Sequence, residues 1–232
     1  MIVVFDVEGV LVDGEFLPRL AELVGKEDEV QELTMQGIRG EISWERGLAR
    51  RIELVKGVSY EQCMRVANSL PMMNGAVETT ERLKRMGCLM VGISGGFSLL
   101  TNRVKNELGL DHVFSNELVF HDGRLVGYGL LVSANKGQIL RTAFGDMFSG
   151  MRKMAVVDGA NDVDLFDLVD VRVAFNAQEV VRRKADVQVN VRDLRGIVDL
   201  VEGQKAMDQG PRRRRAAGAK GINSPRVPKV RD

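Results

Sequence analysis

The chain has 232 residues, 44% of them hydrophobic, with a net charge of +1, which suits one generous domain, or a core carrying a small insertion, and leaves enough apolar content for a real core. Two cysteines, Cys63 and Cys88, are too few and too far apart for a disulfide framework or a zinc site. No apolar stretch has the length of a bilayer span and the short run after Met1 is no secretory signal, so a reducing cytoplasm is the expected location and a membrane role is not.

The first predicted element is the strand IVVF at residues 2–5, which ends abruptly on Asp6 with Glu8 two residues on. A strand that loses its hydrophobicity this sharply meets water or a ligand. Residues 16 to about 70 carry no strand pattern and read as four amphipathic helices, FLPRLAELVG, DEVQELTMQGIRG, SWERGLARRIELVKG and SYEQCMRVANSL. Inserted directly after the first strand, they are expected to form a small cap over the sheet's edge. A helix over 75–87 precedes the strand LMVGI at 89–93, which runs into Ser94-Gly95-Gly96 where a strand turns into a helix. The helix at 98–109 is ended by Gly109.

The alternating segment ELVFHDGRLVGYGLLV contains Asp122-Gly123, a hairpin signal. A helix at 136–145 opens on Lys136. The strand MAVV at 154–157 leads into Asp158-Gly159-Ala160-Asn161-Asp162 and a helix over 161–169. Strands VRVAF at 171–175 and DVQVN at 186–190 and a helix at 193–202 complete the pattern. Strands alternating with helices predict an α/β fold around a buried parallel sheet.

Residues 204–232 hold nine Lys/Arg and two Asp/Glu, a net +7, which leaves −6 on residues 1–203. An acidic body is not the footprint of a nucleic-acid-binding domain. The tail, rich in Gly, Pro and Ala and without aromatics, is read as disordered. It is the only part suited to RNA, an anionic surface or an acidic partner, and a solvated extension is the simpler reading.

In an open parallel sheet, ligands bind beyond the carboxyl ends of the strands. Four acids, a hydroxyl, a run of glycines and an amide converge there: Asp6, Glu8, Ser94-Gly95-Gly96, Asp158, Asn161 and Asp162. Clustered carboxylates repel one another unless a cation joins them, and oxygen ligands of this kind suit Mg²⁺. Ser94 and the glycines offer a hydroxyl and backbone N–H groups to a phosphate, and Lys136 adds positive charge. These are the parts of phosphoryl transfer, in which a carboxylate can also be the nucleophile. His112 and His121 have no partners at ligand spacing, which argues against a histidine-driven mechanism. Singly, each signal has an ordinary structural explanation, such as a polar strand end or a solvated lysine. Their order and placement together carry the sharper reading.

DVEGV, ISGG, a lysine and VVDGAND, in this order and spacing, resemble the haloacid dehalogenase superfamily. From Met1 to about residue 200 the chain resembles its phosphoserine phosphatase branch, also in FLPRLAELVG, RGEIS, SGGFS, NELVFHDGRLVG and AFNA. The resemblance implies a Rossmann-like core at 1–13 and 75–203, a helical cap at 14–74, and a basic tail at 204–232 outside the family pattern. It further implies Asp6 as nucleophile, Glu8 as general acid and base, and Ser94, Gly95 and Lys136 around the phosphate. Asp6, the Glu8 carbonyl and Asp158 would bind Mg²⁺, with Asp162 in support and Asn161 touching phosphate or nucleophile. In the cap, Glu15 falls where an acid meets the substrate ammonium, Arg51 where an arginine meets its carboxylate, and Trp44 where an aromatic ring covers it.

The implied activity is Mg²⁺-dependent hydrolysis of L-phosphoserine by a monomer or homodimer. Most members have Asp at the position of Glu8. A related group, the phosphoserine:homoserine phosphotransferases, carries the same Glu in a DLEGVLV motif, so transfer to another alcohol is the alternative. A catalytically degenerate binding protein is the second alternative. At Val157 the family usually has glycine, and a β-branched residue there is expected to crowd the metal loop.

Overall fold

The computed structural model describes residues 1–39, 41–145 and 150–209. Seven strands form one sheet in the order β4-β3-β2-β1-β5-β6-β7. They are β1 (Ile2–Phe5), β2 (Leu89–Phe97), β3 (His112–His121), β4 (Arg124–Gly129), β5 (Lys153–Val157), β6 (Val171–Phe175) and β7 (Val187–Val189). All neighbours are parallel except β3 and β4, which form the expected antiparallel hairpin. Asp122 and Gly123 turn it with φ of 48° and 70°, the pair of left-handed residues that matches strand twist.

β1 lies at the centre of the sheet, and all four of its residues are buried. Both faces of such a strand are covered, which is why it reads as a continuous apolar run rather than an alternating one. Phe5 pairs with Gly92 of β2 and with Val156 of β5. The residues that follow these strands therefore emerge side by side on one edge.

Between β1 and the rest of the sheet lie α1 (Phe16–Glu22), α2 (Glu27–Ile38), α3 (Trp44–Val55) and α4 (Tyr60–Ser69). Ser43 caps α3 by accepting from the Arg46 N–H, and Ser59 and Gln62 form a reciprocal capping box on α4. The α3–α4 turn pairs with β4. Gly57 donates to the Leu125 carbonyl at 2.8 Å, Leu125 to Val58 at 2.9 Å, and Tyr60 to Gly123 at 2.9 Å.

The remaining helices are α5 (Ala76–Arg85), α6 (Ser98–Leu108), α7 (Lys136–Phe144), α8 (Glu179–Arg182) and α9 (Gly196–Gln209). Gly109 ends α6 at φ 62°, as read from the sequence. Residues Met1–Val198 form one compact unit and the stretch from Asp199 a second. Helix α9 continues to Gln209, so the first residues of the expected tail are helical. Residues 210–232 of that tail lie outside the described residues.

Three local differences from the sequence reading bear on the site. Strand β2 does not stop at residue 93 but continues to Phe97, and Ser94-Gly95-Gly96 form an irregularity within it rather than a strand-to-helix turn. Ala160–Leu168 is a 3-10 helix, not an α-helix; four of its nine residues are Asn or Asp, whose side chains bond locally at the expense of regular α-helix. Val157 is fully buried within an apolar cluster that includes Ile2, Val4, Ile93, Leu140 and Leu165. Its branched side chain therefore packs in the core instead of crowding the loop that follows.

Candidate active site

Asp6 follows β1 directly and is only 7% exposed. The next backbone N–H, that of Val7, donates to its Oδ1 at 2.7 Å. Lys136, the first residue of α7, donates to the same oxygen at 2.8 Å and to the Ile93 carbonyl at 3.2 Å. Lys136 also pairs with Asp162, and both are fully buried. Burial works against the lysine's charge, but Asp162 and Asp6 outweigh it and hold the ammonium above its ordinary range.

Carboxylate oxygens of Asp6, Asp158 and Asp162 lie within 4.8 Å of one another. Burial, and then the charge of Asp6, push Asp158 up to about 8. The same two causes raise Asp162 well above the usual carboxylate range. One lysine thus faces three carboxylates, and one oxygen of Asp162, Oδ2, is buried without a hydrogen-bond partner. An all-oxygen donor set of three crowded carboxyls with an unsatisfied buried oxygen fits a hard divalent cation, which would take the place of the protons that burial keeps on Asp158 and Asp162. Gly9, at φ 82°, lets the chain after β1 pass this cluster: a Cβ there would come within 2.2 Å of Asp158 Oδ2.

Glu8, two residues after Asp6, reaches α1. Its Oε2 accepts the Phe16 N–H at 2.8 Å, satisfying an orphan donor of the helix start. Its Oε1 lies against Gly96, where an added Cβ would approach it to 1.9 Å. Burial, followed by the negative charge of Glu15, raises the Glu8 carboxyl to about 8, so it carries its proton at neutral pH. The additional methylene, relative to Asp, is accommodated by the absence of a side chain at Gly96. Ser94 is buried, and its Oγ accepts the Gly96 N–H at 2.9 Å.

A cavity of about 390 Å³ opens between these strand ends and the helices that precede β2. The sheet edge lines it with Asp6, Glu8, Ser94, Gly95, Lys136 and Asp158, and the 3-10 helix adds Asn161. From the helical segment come Glu15, Trp44 and Arg51. Arg51 donates to the Gly47 carbonyl at 3.3 Å; burial lowers its pKa against the charges of Glu15 and Glu8. The Trp44 ring is seated on Gly95, where a Cβ would be 2.7 Å from Cζ2.

Of the expected site residues, only Asp162 is off the cavity wall, being fully buried against Lys136. The sequence reading missed Leu17, Leu33, Thr34 and Leu48 on the helical side and Gln178 after β6. Gln178 holds the acidic loop, donating to the Asp158 carbonyl at 2.9 Å and accepting from Ala160 at 3.3 Å. Helical periodicity puts Leu17, Leu33 and Leu48 on the apolar faces of three separate helices but does not say that those faces border a cavity. His112 and His121 lie away from this wall and are exposed. Among the described residues, no helix is long and apolar enough to cross a membrane.

The arrangement offers a carboxylate beside a buried lysine, a protonated carboxyl, a serine hydroxyl with adjacent backbone N–H groups, and an acid and an arginine lining the same cavity. Comparison with known proteins agrees with that chemistry. Residues 1–166 match the model of the haloacid dehalogenase-like hydrolases. The phosphoserine phosphatase of Methanocaldococcus jannaschii is 33% identical over 205 residues, 87% of this chain and 97% of that protein. A solved structure described as a phospho-aspartyl intermediate analogue of phosphoserine phosphatase superposes with a TM-score of 0.79 at 32% identity, over 86% of this chain and 97% of the other. A substrate-bound phosphoserine phosphatase complex matches with the same score, identity and coverage.

Proposed function

The chain belongs to the haloacid dehalogenase-like hydrolases, and from that premise we propose that it hydrolyses L-phosphoserine to serine and phosphate through an aspartyl phosphate on Asp6. The observation that carries the reading is the cavity itself. It gathers Asp6, Ser94 and Lys136 into one lining with Glu15 and Arg51, one partner for each charged group of an amino acid phosphate. Arg51 suits the carboxylate because its planar fork can bind both oxygens, Glu15 suits the ammonium, and Trp44 covers the substrate. In this reading residues 14–74 act as the cap over a core of 1–13 and 75–203.

An Asp6 carboxylate oxygen attacks phosphorus, a carboxylate–phosphorus bond forms, and the ester P–O bond breaks. Glu8, protonated at neutral pH with its pKa near 8, gives its proton to the departing serine oxygen. Water then attacks the aspartyl phosphate and passes a proton to the Glu8 carboxylate. Phosphate leaves, with Asp6 and the proton on Glu8 restored. Ser94, the Gly95 and Gly96 backbone and Lys136 hold the phosphate oxygens in place, with Asn161 beside them. These groups stabilise charge by being fixed before the reaction. Asp6, the Glu8 carbonyl, Asp158 and Asp162 would hold Mg²⁺, which when bound neutralises the carboxylate and phosphate charge. A cytoplasmic location belongs to the same reading.

The test is the initial rate of phosphate release from L-phosphoserine with Mg²⁺, beside phosphoglycolate and a nucleoside monophosphate. Rapid release from phosphoserine alone, lost in Asp6→Asn, is the expected result. Glu8 keeps a second reading in view, in which another alcohol replaces water. Phosphohomoserine formed when homoserine is added would establish it. Ligand binding without turnover of any substrate would favour the degenerate binding protein.

A further inference from the structure

Outside the groups that face the cavity, one buried polar side chain has all of its hydrogen-bonding capacity directed at the segments that build the site. Asn116, on β3, is fully buried. Its Nδ2 donates to the Gly95 carbonyl at 2.9 Å and to the Val132 carbonyl at 3.1 Å. Its Oδ1 accepts the N–H groups of Leu131 and Val132, each at 2.8 Å. A side-chain amide has two donors and two acceptor sites, and all four are used.

The partners occupy two segments with no ladder of their own at this point. The β2–β3 register runs Ile93↔Phe114 and then Phe97↔Asn116, so Ser94, Gly95 and Gly96 stand opposite the single residue Ser115. Extra residues in one strand leave backbone groups unpaired, and the amide of Asn116 takes the carbonyl of the middle one. Its other three bonds hold residues 131 and 132 of the link between β4 and α7. That link ends at Lys136, and on the way the Ala134 N–H reaches Glu45 Oε1 of α3 at 3.3 Å.

We infer that Asn116 is a positioning residue for phosphoryl transfer: through Gly95 and residues 131–132 it fixes the Ser94-Gly95-Gly96 bulge relative to the segment leading to Lys136. The inference rests on the proposed role of these groups around the phosphate. Asn116 touches no reacting atom. Its effect is to keep two halves of one anion site, brought from β2 and from the start of α7, at a constant separation. Misplacing such groups by about 1 Å costs on the order of 100-fold in rate.

The test uses the full chain and two variants. Asn116→Asp keeps shape but replaces both donors with acceptors facing carbonyls, and Asn116→Ser removes the reach to Gly95 while keeping a small polar group. Thr101→Val is the matched control: it deletes the 2.7 Å buried Thr101–Ser115 hydrogen bond on the adjacent residue of the same strand. The readouts are the melting temperature, its rise on adding inorganic phosphate with Mg²⁺, and kcat and KM for L-phosphoserine and p-nitrophenyl phosphate. The expected result is a loss of at least tenfold in inorganic phosphate affinity and in kcat for both substrates in whichever Asn116 variant melts cooperatively. Thr101→Val lowers the melting temperature and leaves those values within twofold. Asn116 variants that are only less stable, with wild-type phosphate affinity and kcat, would overturn the inference, as would failure of both to melt cooperatively at any temperature. If the wild-type chain cleaves p-nitrophenyl phosphate but not phosphoserine, the substrate assignment fails while the same variants still decide the role of Asn116. If it binds no phosphate at all, both fall together.

Discussion

Lys136 Nζ lies 2.8 Å from Asp6 Oδ1, a contact between residues 130 positions apart that joins the start of α7 to the end of β1. The lysine is 1% exposed and pairs with Asp162 as well. Removing it takes away the charge that compensates Asp6, beside Asp158 and Asp162, whose carboxyls burial already holds towards the protonated form.

Lys136→Met is therefore expected to lose activity and to lose about 3–5 kcal/mol of stability at neutral pH, the cost of leaving one side of a buried ion pair unpaired. Urea unfolding at pH 7.5 measures it. A variant as stable as the wild type would show that the carboxylates are neutral in the folded protein.

Glu8 and Gly96 are expected to be coupled. A Cβ on residue 96 would fall 1.9 Å from Glu8 Oε1, so Gly96→Ala should cost on the order of 100-fold in kcat/KM by displacing the carboxyl. Glu8→Asp shortens that side chain and relieves the clash. In a double-mutant cycle the pair should show a coupling of about 1–3 kcal/mol. Simple additivity would remove the steric explanation for Glu at this position.

Arg51→Ala should raise KM for L-phosphoserine roughly 10- to 100-fold, the equivalent of about 1.5–3 kcal/mol for a hydrogen bond to a charged group. KM for p-nitrophenyl phosphate, which has no carboxylate, should stay within a few-fold. Arg51→Lys should recover little, because a point charge does not replace a planar fork. Equal changes for both substrates would move Arg51 out of substrate recognition.

Cys63 is fully buried, and burial pushes its thiol from an ordinary 9.0 up to about 11. Between these values the unfolded chain releases a proton that the folded chain retains, so stability is full below pH 9 and falls as pH rises towards 11. Cys63→Ala should flatten that limb in urea melts at pH 8, 9 and 10, though at a cost in packing that is independent of pH. An unchanged slope would mean that another group sets the alkaline limit.

Much of the site was legible because its residues sit at places that local sequence marks. Asp6 and Asp158 end apolar runs, Lys136 opens a helix, and Asp122-Gly123 and Gly109 occupy left-handed positions that few residues accept. Neighbouring parallel strands share an edge, so naming their ends also names the groups that gather there. Other features left no such mark. Asn116 reads as one polar residue in an alternating strand, Val157 as a β-branched neighbour of the metal loop, and Leu33 and Thr34 as ordinary helix positions.

The amino-acid sequence by itself determined the α/β alternation, the helical insertion after β1 and the polar groups at the strand ends, since periodicity and strand ends are local properties; Glu15, Trp44 and Arg51 were marked only by the family resemblance. Only the tertiary structure decided that Lys136 is buried between Asp6 and Asp162, that the Ser94-Gly95-Gly96 bulge is held by Asn116, and that Val157 faces the core. Each of these depends on register between strands remote in sequence, and a shift of one residue reverses which face a side chain takes.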